Sequence, residues 1–391
     1  MLTRAKLALL VIPFVIPLVV PFVIGMVAGC DGRAALRIPV RDAGTSDGTL
    51  FGSAGQCPTG TAPRVVELDT PLKLDLLFMV DDSLSMQEEQ SNLSRNFPRL
   101  IDELKRLPTG FPDLHLGVVS SDLGAGSSLQ AVCGTVAGDR GVMQARAECG
   151  LSGSHYLVSE ESGTRNNFSG DIAEVFGCIA KLGTHGCGFE HPLQSVRMAL
   201  SGFVSENTGF LRPDAHLAVV YITDEDDCSA PPESSMFDGI VSGQDSSLRC
   251  SLYGHACDGA AVPAAEFSTP LDHCSADPKG GGKLIPVQTF VDEMKLLRTQ
   301  SVTVSVIGGW PIEGANARYA IGYDLTSTHP DQLAAMPICN SANGKAAVGL
   351  RLKQFVDAFG AAGKILSICQ DDFSNAMAEI GQLINRTVEC R

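Results

Sequence analysis

Apolar and polar positions follow two different patterns along the chain. Short, nearly unbroken apolar runs predict buried strands at 72–80, 113–121, 216–223, 302–309 and 364–369. Between these runs, apolar residues recur every third or fourth position, which predicts helices that include residues 93–107, 172–182, 191–203, 287–298, 352–360 and 372–384. Strands that alternate with helices predict an α/β fold, a doubly wound and mostly parallel sheet with helices on both faces.

Several stretches interrupt this pattern. Pro98 falls inside the first helical pattern and is a candidate break, because proline lacks the amide donor. Glycine, serine and cysteine dominate three long segments, at about 123–168, 228–284 and 311–348. Loops of this length are uncommon unless they are functional or cross-linked, so we expect disulfide-stapled insertions in a folded domain that covers 64–391.

The first 63 residues have a different character. Two basic residues precede an apolar run from Leu7 to Ala28, the layout of a secretory signal. A membrane-spanning helix is the alternative, and three prolines within the run disfavour it. The run ends in "VAGC", which resembles a bacterial lipobox and implies a signal peptide at 1–29 and lipidation at Cys30. The other interpretation is ordinary cleavage near Ala28. Residues 30–63 are predicted to be a flexible tether. Together with the lipobox, this predicts a lipid-anchored protein of the cell envelope, on its periplasmic or surface side.

Composition and charge exclude two classes of ligand. The 391 residues carry a formal net charge of −15, and an acidic protein lacks the basic surface that nucleic acid requires. The segment "PKGGGKL" lacks the upstream glycine and the Ser/Thr of a phosphate loop. We therefore expect neither nucleic-acid nor nucleotide binding.

Thirteen cysteines are present, and twelve remain if Cys30 is lipidated. An even number in an exported chain predicts disulfides. Short separations favour Cys133–Cys149 and Cys178–Cys187, and a Cys57–Cys390 bond would join the ends of the folded part. The remaining candidates are Cys228, Cys250, Cys257, Cys274, Cys339 and Cys369. A zinc site at Cys250, Cys257, His273 and Cys274 is the alternative, although their spacing matches no familiar finger.

Oxygen-bearing side chains follow two predicted strands. The run "DDSLS" places Asp81, Ser83 and Ser85 after the first strand, and Asp224 follows a long apolar strand in "YITDEDDCS". Thr184 lies in a loop between two helices. Ligands of open α/β sheets bind at the carboxyl ends of the strands. Carboxylate and hydroxyl oxygens suit a hard cation, Mg²⁺ first and Mn²⁺ or Ca²⁺ as alternatives.

Together, D-x-S-x-S, a mid-chain threonine and "TD" after a central strand resemble the metal-ion-dependent adhesion site of von Willebrand factor A domains. The resemblance spans about Leu72 to Thr387, and within that family the chain is most similar to cysteine-rich envelope lipoproteins of Gram-negative bacteria. It implies that Asp81, Ser83, Ser85, Thr184 and Asp224 are the metal ligands. The implied function is metal-dependent protein binding, in adhesion or scaffolding, with an acidic side chain of the protein ligand completing the metal shell.

The same residues have simpler interpretations. Ser83 and Ser85 would also suit a helix cap, and Asp224 would suit a helix cap or a solvated turn. Glu88 and Glu89 resemble the second cation site of integrin β chains, but first-turn acidic residues that complement the helix dipole are the favoured interpretation.

Two other function classes stay open beside protein binding: a structural envelope domain with a silent site, and a metal-dependent hydrolase. No positioned nucleophile–base or acid–base pair is evident, so we do not expect an enzyme. His185, Glu190 and His191 do not form H-E-x-x-H, and are predicted to be loop and helix-start residues.

Overall fold

The computed structural model describes residues 71–125, 133, 138–238, 246–266, 269–297, 302–312, 318–323, 332–341 and 344–389. All of them belong to one compact unit, Gly55–Arg391. The predicted signal peptide, lipidation site and tether lie outside the described residues, as do Cys57 and Cys390. No helix in the described part is long and apolar enough to span a membrane.

The described residues form both helices and strands. The helices are α1 Gln87–Leu104, α2 Ile172–Ile179, α3 Pro192–Leu200, α4 Ser246–Gly254, α5 Val287–Leu296, α6 Leu350–Asp357 and α7 Ser374–Glu389. The strands are β1 Lys73–Val80, β2 Asp113–Ser120, β3 Leu157–Glu160, β4 Arg165–Asn166, β5 His216–Ile222, β6 His255–Cys257, β7 Ala260–Ala261, β8 Cys274–Ala276, β9 Val302–Gly308, β10 Ile321–Tyr323, β11 Leu333–Ala335, β12 Cys339–Ser341, β13 Gly344–Ala346 and β14 Gly363–Ser367.

Seven of these strands form the central sheet, in the order β14-β9-β5-β1-β2-β3-β4. The pairs from β14 to β2 are parallel, and β3 and β4 are added antiparallel at the edge. From β1 the chain passes first to β2 on one side and later to β5 on the other. The direction of winding therefore reverses at β1 and β5, the place where α/β sheets form a crevice at their carboxyl ends.

Both faces of the sheet are buried. Alternate β1 side chains point to opposite faces: Leu76 and Phe78 join a core with α1, α2 and α7, whereas Leu77 and Met79 join a core with α3, α5 and α6. This arrangement explains why the strands read as unbroken apolar runs, and it confirms the predicted fold class.

Pro98 does not break the first helix, because α1 continues through it to Leu104. The proline is exposed, while the neighbouring Phe97 is buried and stacks on Phe176 with ring centroids 3.7 Å apart. Packing of the apolar side thus compensates for the hydrogen bond that the proline removes.

The three predicted insertions contain short strands. Among the described residues, two disulfides lie within the second insertion, and three join the first or the third insertion to the rest of the domain. The predicted pairs Cys133–Cys149 and Cys178–Cys187 are wrong. The structure pairs Cys133 with Cys187 and Cys149 with Cys178, because folding brings the first insertion against the segment around α2. The other bonds are Cys228–Cys250, Cys257–Cys274 and Cys339–Cys369. The zinc alternative is also wrong, since its three cysteines are all oxidised.

Candidate metal centre

The parallel register places three polar residues side by side at the carboxyl edge of the sheet. Val80 is the β1 partner of both Ile222 and Ser120, so Asp81, Thr223 and Ser121 follow in one row. The Asp81 amide donates to the carbonyl of Ile222 at 2.9 Å. The Thr223 hydroxyl donates to Oδ2 of Asp81 at 2.6 Å. Strand pairing therefore fixes the first carboxylate of the predicted site.

Ser83 and Ser85 occupy the turn between β1 and α1. The Ser83 amide donates to Oδ1 of Asp81 at 2.8 Å, and the two serine hydroxyls lie 3.2 Å apart. The helix cap is Met86, without any side-chain capping bond. The capping interpretation of the two serines is therefore wrong, and their hydroxyls lie next to the Asp81 carboxylate.

Asp224 lies in the same crevice and is 4% exposed, so the solvated-turn interpretation is wrong. Ser85 hydrogen-bonds its carboxylate, but Oδ1 has no hydrogen-bond partner. Burial raises the pKa of Asp224 well above its usual value, and the charges of Asp81 and Glu89 raise it further. A buried carboxylate oxygen without a donor is suited to receive a cation.

Thr184 is brought to this crevice by its neighbours in the chain. The Gln90 side-chain amide donates to the carbonyls of both Asp81 and Gly183 at 2.8 Å. The amide of Gly186 donates to the carbonyl of Asp82 at 2.8 Å. The half-exposed Thr184 therefore lies between two anchored glycines at the margin of the site.

Glu88 and Glu89 have different environments. Glu88 is exposed, as expected for a first-turn acidic residue. Glu89 is 1% exposed, and neither carboxylate oxygen has a hydrogen-bond partner. Its Oε1 lies against Gly344 of β13, where a Cβ would approach to 1.7 Å. Burial, with repulsion from Glu88 and Asp81, raises the pKa of Glu89 to about 7.

Glu190 is a buried member of the site that sequence reasoning missed. It is 0% exposed and accepts a 2.6 Å hydrogen bond from Ser121, while its Oε1 has no partner. Its carboxyl also reaches the Asp81 carboxyl, and burial with the charge of Asp81 raises its pKa well above the usual value. The only signal in the sequence was an acidic residue in the same loop as Thr184.

The donor set fits a hard divalent cation. Burial, neighbouring carboxylates and hydroxyl or amide donors are the main causes of the shifted pKa values of Asp81, Asp224 and Glu190. A basic side chain is not among these main causes. In the part of the chain that the structure describes, no group of three or more His, Cys, Asp or Glu side chains is placed to bind a metal. Any cation here must therefore use the serine hydroxyls as well as the carboxylates.

Asp226 and Asp227 serve the fold. Asp226 accepts bonds from the amides of Arg351 and Leu352 at the start of α6, at 2.9 and 3.1 Å. Asp227 pairs with the fully buried Arg351 guanidinium at 2.7 Å. These two carboxylates fasten α6 to the loop that carries Asp224, which keeps that loop in place.

No protein-family model and no curated protein matches this sequence. Among solved structures, the chain is similar to the pilus adhesin SpaC of Lactobacillus rhamnosus GG in its open conformation, at 11% identity, with a TM-score of 0.35 and coverage of 84% of this chain and 31% of that one. The human COPII-coat protein Sec24c has 11% identity, a TM-score of 0.34 and coverage of 82% and 33%.

A von Willebrand factor type A protein from Catenulispora acidiphila has 11% identity, a TM-score of 0.31 and coverage of 81% and 43%. The chain thus spans only 31% to 43% of the length of these solved chains. The likeness is too low to assign a function.

Proposed function

We propose that this protein is a metal-dependent protein-binding module anchored at the bacterial cell envelope. The observation that carries the proposal is the crevice at the ends of β1 and β5. There Asp81, Ser83 and Ser85 meet Asp224, whose buried Oδ1 has no donor. Thr184 is the fifth proposed ligand, and Mg²⁺ is the proposed cation, with Mn²⁺ and Ca²⁺ as alternatives.

The protein groups in this arrangement have separate tasks. Thr223 and the Ser83 amide hold the Asp81 carboxylate by hydrogen bonds at 2.6 and 2.8 Å. The exposed Ser85 opens the site to solvent. When bound, the cation would offer an electron-poor position to an acidic side chain of a protein ligand, because hydroxyls donate little charge. Leu84 lies between the two serines and is 80% exposed. It therefore offers the protein ligand an apolar contact beside the contact of its acidic side chain with the cation.

Cation binding is the first test. Calorimetric titration with MgCl₂, MnCl₂ and CaCl₂ should show one saturable cation-binding site. Saturating this site should raise the melting temperature relative to the protein in EDTA. Asp81→Asn and Asp224→Asn keep the side-chain volume but remove the charge, so both should abolish the binding and the stabilisation. Asp371→Asn is the control and should bind the cation as wild type does. It removes a charge of the same kind far along the chain, in the segment before α7. If none of the three ions binds wild type, the protein is a structural α/β domain.

Ligand capture is the second test. The immobilised protein should retain a specific envelope protein in Mg²⁺ and release it in EDTA. Asp224→Asn should capture nothing in either buffer. Retention that is equal in both buffers would contradict metal dependence while leaving a binding function in place.

A further inference from the structure

One buried side chain joins two distant segments that carry proposed cation ligands. Gln90 lies near the start of α1 and is 3% exposed. Its Nε2 donates to the carbonyl of Asp81 and to the carbonyl of Gly183, each at 2.8 Å. Its Oε1 accepts a hydrogen bond from the amide of Gly183 at 3.1 Å. One planar amide therefore links the end of β1 to the residue that precedes Thr184, although Gln90 and Gly183 are 93 positions apart in sequence.

The three backbone groups around Gln90 require an amide. Two carbonyls need donors and one amide needs an acceptor, and a primary amide supplies two donor hydrogens and an acceptor oxygen in one plane. An ionised glutamate has no hydrogen to donate, and a lysine has no acceptor and brings a charge that repels a cation. The side chain at this position therefore acts by hydrogen bonding and not by charge.

The short loop that carries Thr184 is held at both of its ends. On the far side of the threonine, the amide of Gly186 donates to the carbonyl of Asp82 at 2.8 Å, and a Cβ on Gly186 would lie 2.4 Å from Oδ1 of Asp82. On the near side, Gly183 has a φ of 94°. Glycine adopts this conformation without strain but does not enforce it. The hydrogen bonds of Gln90 therefore fix this end of the loop.

We propose that Gln90 is a positioning residue that places the Thr184 hydroxyl for the cation and makes the site select Mg²⁺ over Ca²⁺. This inference rests on the proposed function. Mg²⁺ demands near-octahedral oxygens at about 2.0–2.1 Å, whereas Ca²⁺ accepts a looser and larger shell at about 2.3–2.6 Å. A loop that is held at both ends meets the strict demand of Mg²⁺. A loop that is held only at Gly186 meets only the looser demand of Ca²⁺.

The test replaces Gln90 by methionine in the full-length protein. Gln90→Met keeps the length of the side chain but makes none of the three hydrogen bonds. In calorimetric titration with MgCl₂, the affinity should fall by about tenfold or more, as is typical when a hydrogen-bond partner behind a metal ligand is lost. In titration with CaCl₂ the affinity should fall less, so the ratio of Mg²⁺ to Ca²⁺ affinity should decrease. A loss of stability alone would not change this ratio.

Asn207 offers a matched control in another part of the domain. Its Nδ2 donates to the carbonyls of Gly141 and Ala199 at 2.8 and 3.1 Å, and its Oδ1 accepts from the amide of Met143 at 2.9 Å. Like Gln90 it is buried, at 7% exposure, and none of these three partners is a proposed cation ligand. Asn207→Leu loses the same kinds of hydrogen bond. It should leave the affinity for both ions unchanged, whatever its effect on the melting temperature.

A double-mutant cycle determines whether Gln90 acts through Thr184. Thr184→Val removes the hydroxyl and keeps the shape of the side chain, so by itself it should also lower the ratio of Mg²⁺ to Ca²⁺ affinity. In the Thr184→Val background, Gln90→Met should weaken Mg²⁺ binding much less than it does in wild type. Melting temperatures in EDTA show whether each variant is folded. If Gln90→Met does not fold, the ratio measured for Thr184→Val decides, and an unchanged ratio overturns the proposal.

The outcomes separate this inference from the proposed function. If wild type binds neither ion, both fall. If wild type binds Ca²⁺ but not Mg²⁺, only the selective positioning role is overturned. The same holds if Gln90→Met binds both ions as wild type does, or if Asn207→Leu weakens Mg²⁺ binding as much as Gln90→Met. Equal effects of Gln90→Met with and without the Thr184 hydroxyl would also overturn it.

Discussion

Glu89 provides the most direct test of the electrostatics of the crevice. Its carboxylate is buried without a hydrogen-bond donor, and burial moves its pKa from 4.5 to about 7. At 1.36 kcal/mol per pH unit, this difference corresponds to roughly 3 kcal/mol. The folded-state pKa lies above the unfolded one, so ionisation opposes folding. The stability linked to Glu89 is fully present below about pH 4.5 and is lost as the pH rises through 7.

Glu89→Gln removes the charge and keeps the shape. In EDTA at pH 8.5 the variant should therefore be more stable than wild type by roughly 3 kcal/mol, and the difference should approach zero below about pH 3.5, where the wild-type carboxyl is protonated in both states. Urea denaturation followed by circular dichroism, with the disulfides intact, measures the free energy of unfolding at intervals across this range.

Glu88→Gln is the matched control, because Glu88 is exposed, and it should change stability by less than about 0.5 kcal/mol at every pH. Saturating Mg²⁺ should narrow the gap between wild type and Glu89→Gln, since a cation at the site compensates the buried charge. A gap that does not vary with pH would refute the electrostatic reasoning. Loss of the Mg²⁺-induced stabilisation in Glu89→Gln would instead make Glu89 a cation ligand, as the integrin β resemblance implies.

Three further predictions concern the scaffold and the export signal. Arg351→Ala leaves a fully buried aspartate unpaired and should destabilise the fold by about 3–5 kcal/mol in urea denaturation, whereas Arg197→Ala at a half-exposed ion pair should cost no more than about 1 kcal/mol. Non-reducing peptide mapping should recover Cys149 linked to Cys178, and replacing both by serine should cost about 2–4 kcal/mol; recovery of Cys133 linked to Cys149 would contradict the structure. Cys30→Ser should abolish labelling by a fatty-acid probe, and labelling that persists in this variant would exclude the lipobox interpretation.

The local sequence pattern determined the central sheet. Each predicted parallel strand agrees with the structure to within about two residues at either end, because unbroken apolar runs between helical patterns occur only where both faces of a strand are buried. The same pattern located Asp81, Ser83, Ser85 and Asp224 at strand ends. Since the carboxyl ends of parallel strands meet at one edge, their proximity follows from the fold class alone.

Only the tertiary structure decided the features that depend on which distant segments pack together. Glu88 and Glu89 are adjacent and chemically alike, yet one faces solvent and the other is enclosed by the strand that begins at Gly344. Glu190 looked like a loop residue until the row of strand ends brought Ser121 and Asp81 to it. Disulfide partners likewise depend on the path of the insertions, and the shortest separation in sequence was not the shortest in space. Burial and pairing are set by long-range packing, which local periodicity does not encode.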